Sequence, residues 1–215
     1  MLRPAEIRQK LEAKYGFDKP LPEQFIRYLG NLLQGDLGLS TKYPQRTVNE
    51  IIANGFPVTL TLAAVALLWS LLLGITAGII GAIRQNTVWD HAAMTAALIG
   101  ISVPSFVLGP FLVLVVSLRL HLLPPAGWGD WQHVVLPGLT LGTIYAASIA
   151  RLTRGGMLEV IRSDFIRTAR AKGLSERLIV LRHMLRGALL PVVSYLGPAV
   201  ASMLTGSVVV EKIFN

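Results

Sequence analysis

Four long stretches of the chain, 51–83, 92–118, 131–150 and 187–210, contain no Asp, Glu, Lys or Arg. An uncharged apolar run of about 18 residues or more is long enough to cross a bilayer as a helix. The pattern predicts spans over Pro57–Ile83, Ala92–Leu118, Val134–Ala150 and Gly187–Val210, an all-α membrane protein built as a polytopic helical bundle. Gly74 and Gly78 lie four apart in the first span with Gly81 on the next turn, and Gly138 and Gly142 repeat the spacing in the third. Small residues at that spacing let two helix backbones approach. Glycine is also common in membrane helices, so chance placement toward lipid reads equally well. Pro104 and Pro110 fall inside the second span, and Pro191 and Pro198 break the fourth. Proline frees a backbone carbonyl and kinks a helix, which suits a transport path and plain architecture alike.

The polar segments between these runs set the organisation. Residues 1–54 hold eight basic and six acidic residues and read as a separate polar segment, with 55–215 as the transmembrane domain. Within 1–54, Glu6–Lys14 reads as a helix, and Lys19-Pro20-Leu21-Pro22 interrupts it. Glu23–Leu33 places Phe25, Ile26, Leu29, Leu32 and Leu33 on one stripe, an amphipathic helix suited to a membrane surface. Gly35–Gly38 forms a turn, and Thr47–Ile52 leads into the first span. Arg84–His91 is a short polar loop, and Arg119–His133 a connector whose Trp128 and Trp131 suit a membrane interface.

Composition agrees: 53% of the 215 residues are hydrophobic and 15% charged, with mean hydropathy +0.56. Soluble domains carry about 25% charged residues, and disorder needs low hydrophobicity, so both are excluded. The net charge is +8, and the loop 151–186 alone carries +6, nine Lys or Arg against three acids. Phe165 is the only aromatic residue there, which argues against single-stranded nucleic acid as a partner. The positive-inside rule instead assigns 151–186 to the cytoplasm. Counting spans back puts 84–91 on the same side and 119–133 and 1–54 outside. A polar segment of 54 residues then crosses with nothing before it to start translocation, so a preceding helix is expected and the chain reads as a fragment.

Chemistry of the chain's own is missing. There is no cysteine, which excludes disulfides, thiolate metal sites and a Cys nucleophile. There is no GxxxxGK[ST] phosphate loop, no HExxH and no paired-carboxylate helix, and the four histidines are scattered. No catalytic residue, metal site or cofactor is expected. The span interiors offer hydroxyls but no ionisable groups, unlike ion-coupled transporters. Energy for uphill transport would enter from a partner.

The basic loop is too regular for a passive linker. Met157–Lys172 reads as a helix with Leu158, Ile161, Phe165, Ile166 and Ala169 on an apolar stripe. Gly173 suits its C-terminal end, and Ser175 can cap a second helix that runs through Leu178 to Leu185. Two helices hinged at Gly173-Leu174-Ser175 make a knuckle that fits a cleft in another protein. The same basic amphipathic pair could rest on anionic lipid, each cation adding about 1 kcal/mol.

The stretch Ile149–Val193 resembles the cytoplasmic loop of ABC-importer permease subunits, whose general signature is Glu-Ala-Ala, three residues, Gly, nine residues, Ile-x-Leu-Pro. Aligned on Gly173, the chain has Arg167, Thr168 and Ala169 for Glu-Ala-Ala, and His183, Leu185 and Arg186 for Ile, Leu and Pro. The glycine, one alanine and the leucine are kept. The form Arg-Thr-Ala-Arg-Ala-Lys-Gly is similar to the branch that imports di- and oligopeptides. Gly30–Ser40, Thr47–Glu50, Arg84–Asp90, Val103–Val107 and Thr205–Ser207 match it in order, and Lys42-Tyr43 and Arg46–Val48 look most like the B-type permease subunit of the oligopeptide system. The resemblance implies a type I importer permease that is not itself an enzyme. Its partners would be a second permease subunit in a heterodimer, two ATPase subunits that bind ATP and Mg, an external substrate-binding protein, membrane lipid and a peptide. It places the protein in the bacterial inner membrane. It assigns ATPase coupling to Arg167, Thr168, Ala169, Arg170, Ala171, Lys172, Gly173, Leu174 and Ser175, and suggests a peptide path along the proline-kinked second and fourth spans without naming its lining. Other readings remain: a permease for nickel or another small solute, a channel or secondary transporter without an ATPase, and a lipid-bound interaction protein that transports nothing.

Overall fold

The computed structural model describes residues 19–40, 42–43 and 45–215, so the helix expected over Glu6–Lys14 lies outside the described residues. Among the described residues the protein is helical, with one isolated antiparallel bridge between Leu39 and Thr47. Two compact units divide between Pro57 and Val58. In the first, α1 (Leu21–Leu33) is the expected amphipathic helix, with proline at its start and an apolar stripe of Phe25, Ile26 and Leu29 left exposed. The Gly35–Gly38 turn is tied down by Asn49, whose Oδ1 accepts the Leu37 N–H at 2.9 Å while its Nδ2 donates to the Gly35 carbonyl. α2 (Val48–Ile83) opens on a reciprocal cap. The Thr47 N–H donates to Glu50 Oε2 and the Glu50 N–H to Thr47 Oγ1, both at 3.1 Å.

The second unit holds the bundle. α2, α5 (Trp131–Val160) and α9 (Leu190–Ile213) are each long and apolar enough to cross a membrane. α3 (Val88–Ser102) and α4 (Ser105–Leu112) with its π-helical extension Val113–Arg119 make a fourth, broken span, bent by 108°. Three spans differ in extent from the sequence reading. α2 begins nine residues before Pro57, because Val48–Phe56 is polar but helix-compatible. α5 runs to Val160 rather than Ala150, carrying Arg151 and Arg154 as helical residues. α9 is continuous across Pro198, and Pro191 sits harmlessly in its first turn. Pro104 does break its span.

The glycine pattern is structural. A Cβ on Gly74 would lie 2.6 Å from the Ala146 carbonyl oxygen, and one on Gly78 2.5 Å from Thr153 Cβ. From the other side, a Cβ on Gly142 would lie 2.7 Å from the Ala66 carbonyl oxygen. The backbones of α2 and α5 thus touch where only hydrogen fits, which overturns chance placement toward lipid. At one end of this pair Leu62, Ala66, Leu136, Leu141, Met203, Val210 and Phe214 knit α2, α5 and α9 together. Gly78→Val is expected to cost about 1–3 kcal/mol, as overpacking typically does, because a Cβ there meets both the Thr153 side chain and the Ala150 carbonyl oxygen. Thermal unfolding in detergent should show a lower midpoint than for Gly206→Val, whose Cβ meets nothing within 4 Å. Equal midpoints would contradict this packing.

Candidate functional site

The basic loop begins after α5, where the chain turns at Ile161-Arg162-Ser163 and restarts as α6 (Asp164–Ala171). That restart resets the helical phase. Ile166 and Ala169 face inward as expected, but Phe165 is 53% exposed and leaves the predicted stripe. The end of α6 follows from glycine chemistry. Gly173 adopts φ +72°, its N–H donates to the Arg170 carbonyl at 2.9 Å, and the Leu174 N–H reaches the Ala169 carbonyl at 3.3 Å. This pair of bonds is a Schellman cap, and Leu174 packs against the apolar cluster that contains Ala169, the kind of contact that often accompanies the motif. Ser175 then starts α7 (Glu176–Leu178), although its hydroxyl makes no capping bond. A π-helical turn, Ile179–Met184, and α8 (Leu185–Ala188) complete the return to α9.

A second device closes the turn. Arg170 donates from Nε to Glu176 Oε1 at 2.7 Å and from Nη2 to Oε2 at 3.3 Å, bridging the chain on either side of Gly173. The Arg170 guanidinium holds the Glu176 carboxyl below the usual carboxylate range, and that carboxylate pushes Arg170 upward. The clip is therefore fully formed above the ordinary Glu range and fails only as pH falls through the lowered value. Both side chains are exposed, so the clip shapes the turn more than it stabilises the fold.

The knuckle is seated, not free. Ile166, Ile179 and Met184 are fully buried against Ala82 of α2, Met157 of α5 and Ala188 of α8. Its outer surface presents Arg167, Thr168, Arg170, Ala171, Lys172, Gly173 and Ser175, all exposed, while Leu174 is half-buried and Ala169 buried. Nothing within 4 Å would meet a Cβ on Gly173, so the tip is open.

Beside it lies an ion pair that the charge count did not suggest. Arg154 of α5 donates from Nε and Nη2 to the two carboxylate oxygens of Asp90, each at 2.7 Å. Asp90 is 2% exposed and also accepts the Asn86 N–H at 2.9 Å. Asp90 sits in the first turn of α3, where the helix dipole favours a carboxylate. The pair therefore straps α3 to α5 at the same end of the bundle as the knuckle. The spans are uncharged at their centres and not at their ends. Among the described residues no three His, Asp or Glu side chains converge as a metal site.

The family model described as "Binding-protein-dependent transport system inner membrane component" matches residues 74–215, from the last third of α2 through α9. The chain belongs to this permease family. The permease is 48% identical over 214 residues to the oligopeptide transport system permease protein of Escherichia coli K12, spanning 99% of this chain and 70% of that one. A Haemophilus influenzae protein of the same name is 47% identical over the same length. The glutathione transport system permease protein of Shigella flexneri is 45% identical over 211 residues, 98% of this chain and 69% of that one. The permease is thus a multi-pass inner-membrane protein with the helical bundle of importer permeases.

Of the residues assigned to coupling, the structure brings Arg167 to Ser175 together on one projecting turn. Sequence reading missed Asp90, Asn86 and Arg154. The signal was present in part: Asp90 follows Thr87 by three, an N-terminal helix signature, at the edge of an uncharged run. Its partner is 64 residues away, and no local pattern links the two.

Proposed function

We propose that this permease forms part of the translocation path of an ATP-driven importer of oligopeptides or dipeptides. It works with a second permease subunit, two ATPase subunits that bind ATP and Mg, and an external binding protein. The observation that carries the reading is the similarity to the oligopeptide permease along 99% of this chain, joined to an open-tipped knuckle at the basic end of the bundle. By the positive-inside rule the loop 151–186 is cytoplasmic and 1–54 external. The turn Arg167–Ser175 docks on an ATPase, and Arg167 and Lys172 meet acidic groups at the rim of its groove. ATP-driven movement of that groove pushes the knuckle, and the buried contacts of Ile166, Ile179 and Met184 pass the displacement to α2 and α5. The protein has no ATP site of its own and serves as a transport subunit, not an enzyme.

The similarity to a glutathione permease keeps very short peptides within the substrate class. The test is ATP turnover of the complete complex in proteoliposomes. Peptide with binding protein is expected to stimulate turnover several-fold, and nickel salts are not. Stimulation by nickel alone would assign the chain to the small-solute branch.

A further inference from the structure

The break between α3 and α4 leaves main-chain groups unpaired. Pro104 has no N–H to give the Gly100 carbonyl. Among the described residues the N–H groups of Ser105 and Phe106 bond to no carbonyl, while Val107 and Leu108 both turn to the Pro104 carbonyl at 2.9 and 3.0 Å. The carbonyls of Gly100, Ile101 and Ser102 consequently lack the donors that a continuous helix would supply. Among the described residues Ser105 Oγ has no partner either, and Ser102 and Pro104 are exposed.

The break lies deep in the bundle. Asp90 is strapped to Arg154, and a Cβ on Gly100 would lie 3.1 Å from Thr143 Cγ2, so α3 runs antiparallel beside α5. Thr143 is 12 residues after Trp131 and 11 before Arg154, midway along the apolar part of α5. Irregular backbone at that depth is tolerated only where it is covered by polar protein groups or lines a water-filled cavity. Unwound carbonyls in discontinuous membrane helices are used in this way to coordinate the cations of transporters.

Resting on the peptide-import reading, we infer that the Gly100–Ser105 break lines the aqueous path and that its carbonyls accept hydrogen bonds from the main-chain N–H groups and terminal ammonium of the passing peptide. Every peptide carries those donors whatever its side chains. A site built from backbone acceptors grips peptides without reading their sequence, as a broad importer requires.

The chain has no cysteine, so Ser102→Cys introduces its single thiol. The complete complex in membranes is treated with a membrane-impermeant, charged methanethiosulfonate, and the mass of this subunit is read. Ser102→Cys is expected to be labelled, and transported peptide with binding protein to slow labelling about tenfold. Leu72→Cys, on an exposed apolar face of α2, stays unlabelled. Independently, Pro104→Ala supplies the N–H that the Gly100 carbonyl lacks and is expected to raise the peptide KM about tenfold. An inert Ser102→Cys thiol would mean that the second permease or lipid covers the break, and would overturn the inference. Labelling that peptide never slows, with an unchanged KM for Pro104→Ala, overturns it too. If no peptide stimulates the unaltered complex, the import reading itself fails, and labelling, which needs no peptide, reports that case separately.

Discussion

Gly173→Trp is expected to abolish peptide-stimulated ATP turnover while leaving membrane insertion and the bundle intact. Two effects of the substitution have to be separated. The first is local: φ +72° disfavours any side chain, at about 1–2 kcal/mol. Gly173→Ala carries the same strain, and Gly173→Asn less of it, because asparagine tolerates this region. The second is bulk at the tip. Among the described residues nothing lies within 4 Å of a Cβ on Gly173, so an indole there projects from the tip toward whatever docks on the knuckle. Losing about 1.4 kcal/mol from the docked state already means a tenfold weaker complex. The expected order of stimulated turnover is Gly173→Asn near the parent, Gly173→Ala mildly reduced and Gly173→Trp without stimulation, tracking co-purification with the ATPases. If Gly173→Trp retains full stimulation and its ATPases, the knuckle is a lipid-facing surface and not a coupling element.

Arg154→Ala is expected to be the most damaging single change in the bundle. It leaves the Asp90 carboxylate buried with only the Asn86 N–H for company. Removing one partner of a buried pair costs about 3–5 kcal/mol. Arg154 is 25% exposed along its side chain, which places the expected loss near the lower end, at about 3 kcal/mol. Asp90→Asn should be milder, because the amide oxygen still accepts from Asn86 and Arg154. The double variant Asp90→Ala with Arg154→Ala should recover part of the loss, since no lone charge remains. Thermal unfolding of the four proteins in detergent gives the comparison. A double variant no more stable than Arg154→Ala alone would mean that the strap is not a coupled pair.

The charge-free runs were sufficient to place every span, because crossing a bilayer forbids charges at depth. They did not place span ends. A scan for charge stops at Arg151, yet α5 continues to Val160, because a helix emerging from lipid gains nothing by ending at its first charge. The knuckle was legible because it is local chemistry: Gly173 needs a left-handed turn and Ser175 restarts a helix. The phase of Phe165 was not, since nothing in the apolar spacing marks the turn at Ile161–Ser163. The Asp90–Arg154 strap depends on two helices meeting in space, and its partners stand 64 residues apart with no local pattern to link them. The Pro104 break was visible, but the 108° change of direction was not, because proline specifies a missing donor and not an angle.

The interlocked glycines of α2 and α5 also limit how the bundle can move. Gly74 and Gly78 are seated over Ala146 and Thr153, and Gly142 over Ala66, like teeth in a rack. Sliding one helix along the other by half a turn would drive side chains into backbone. The pair therefore travels as a single strut. Opening and closing have to come from pivoting about it, and α3, tied to α5 through Asp90 and Arg154, has to turn with it.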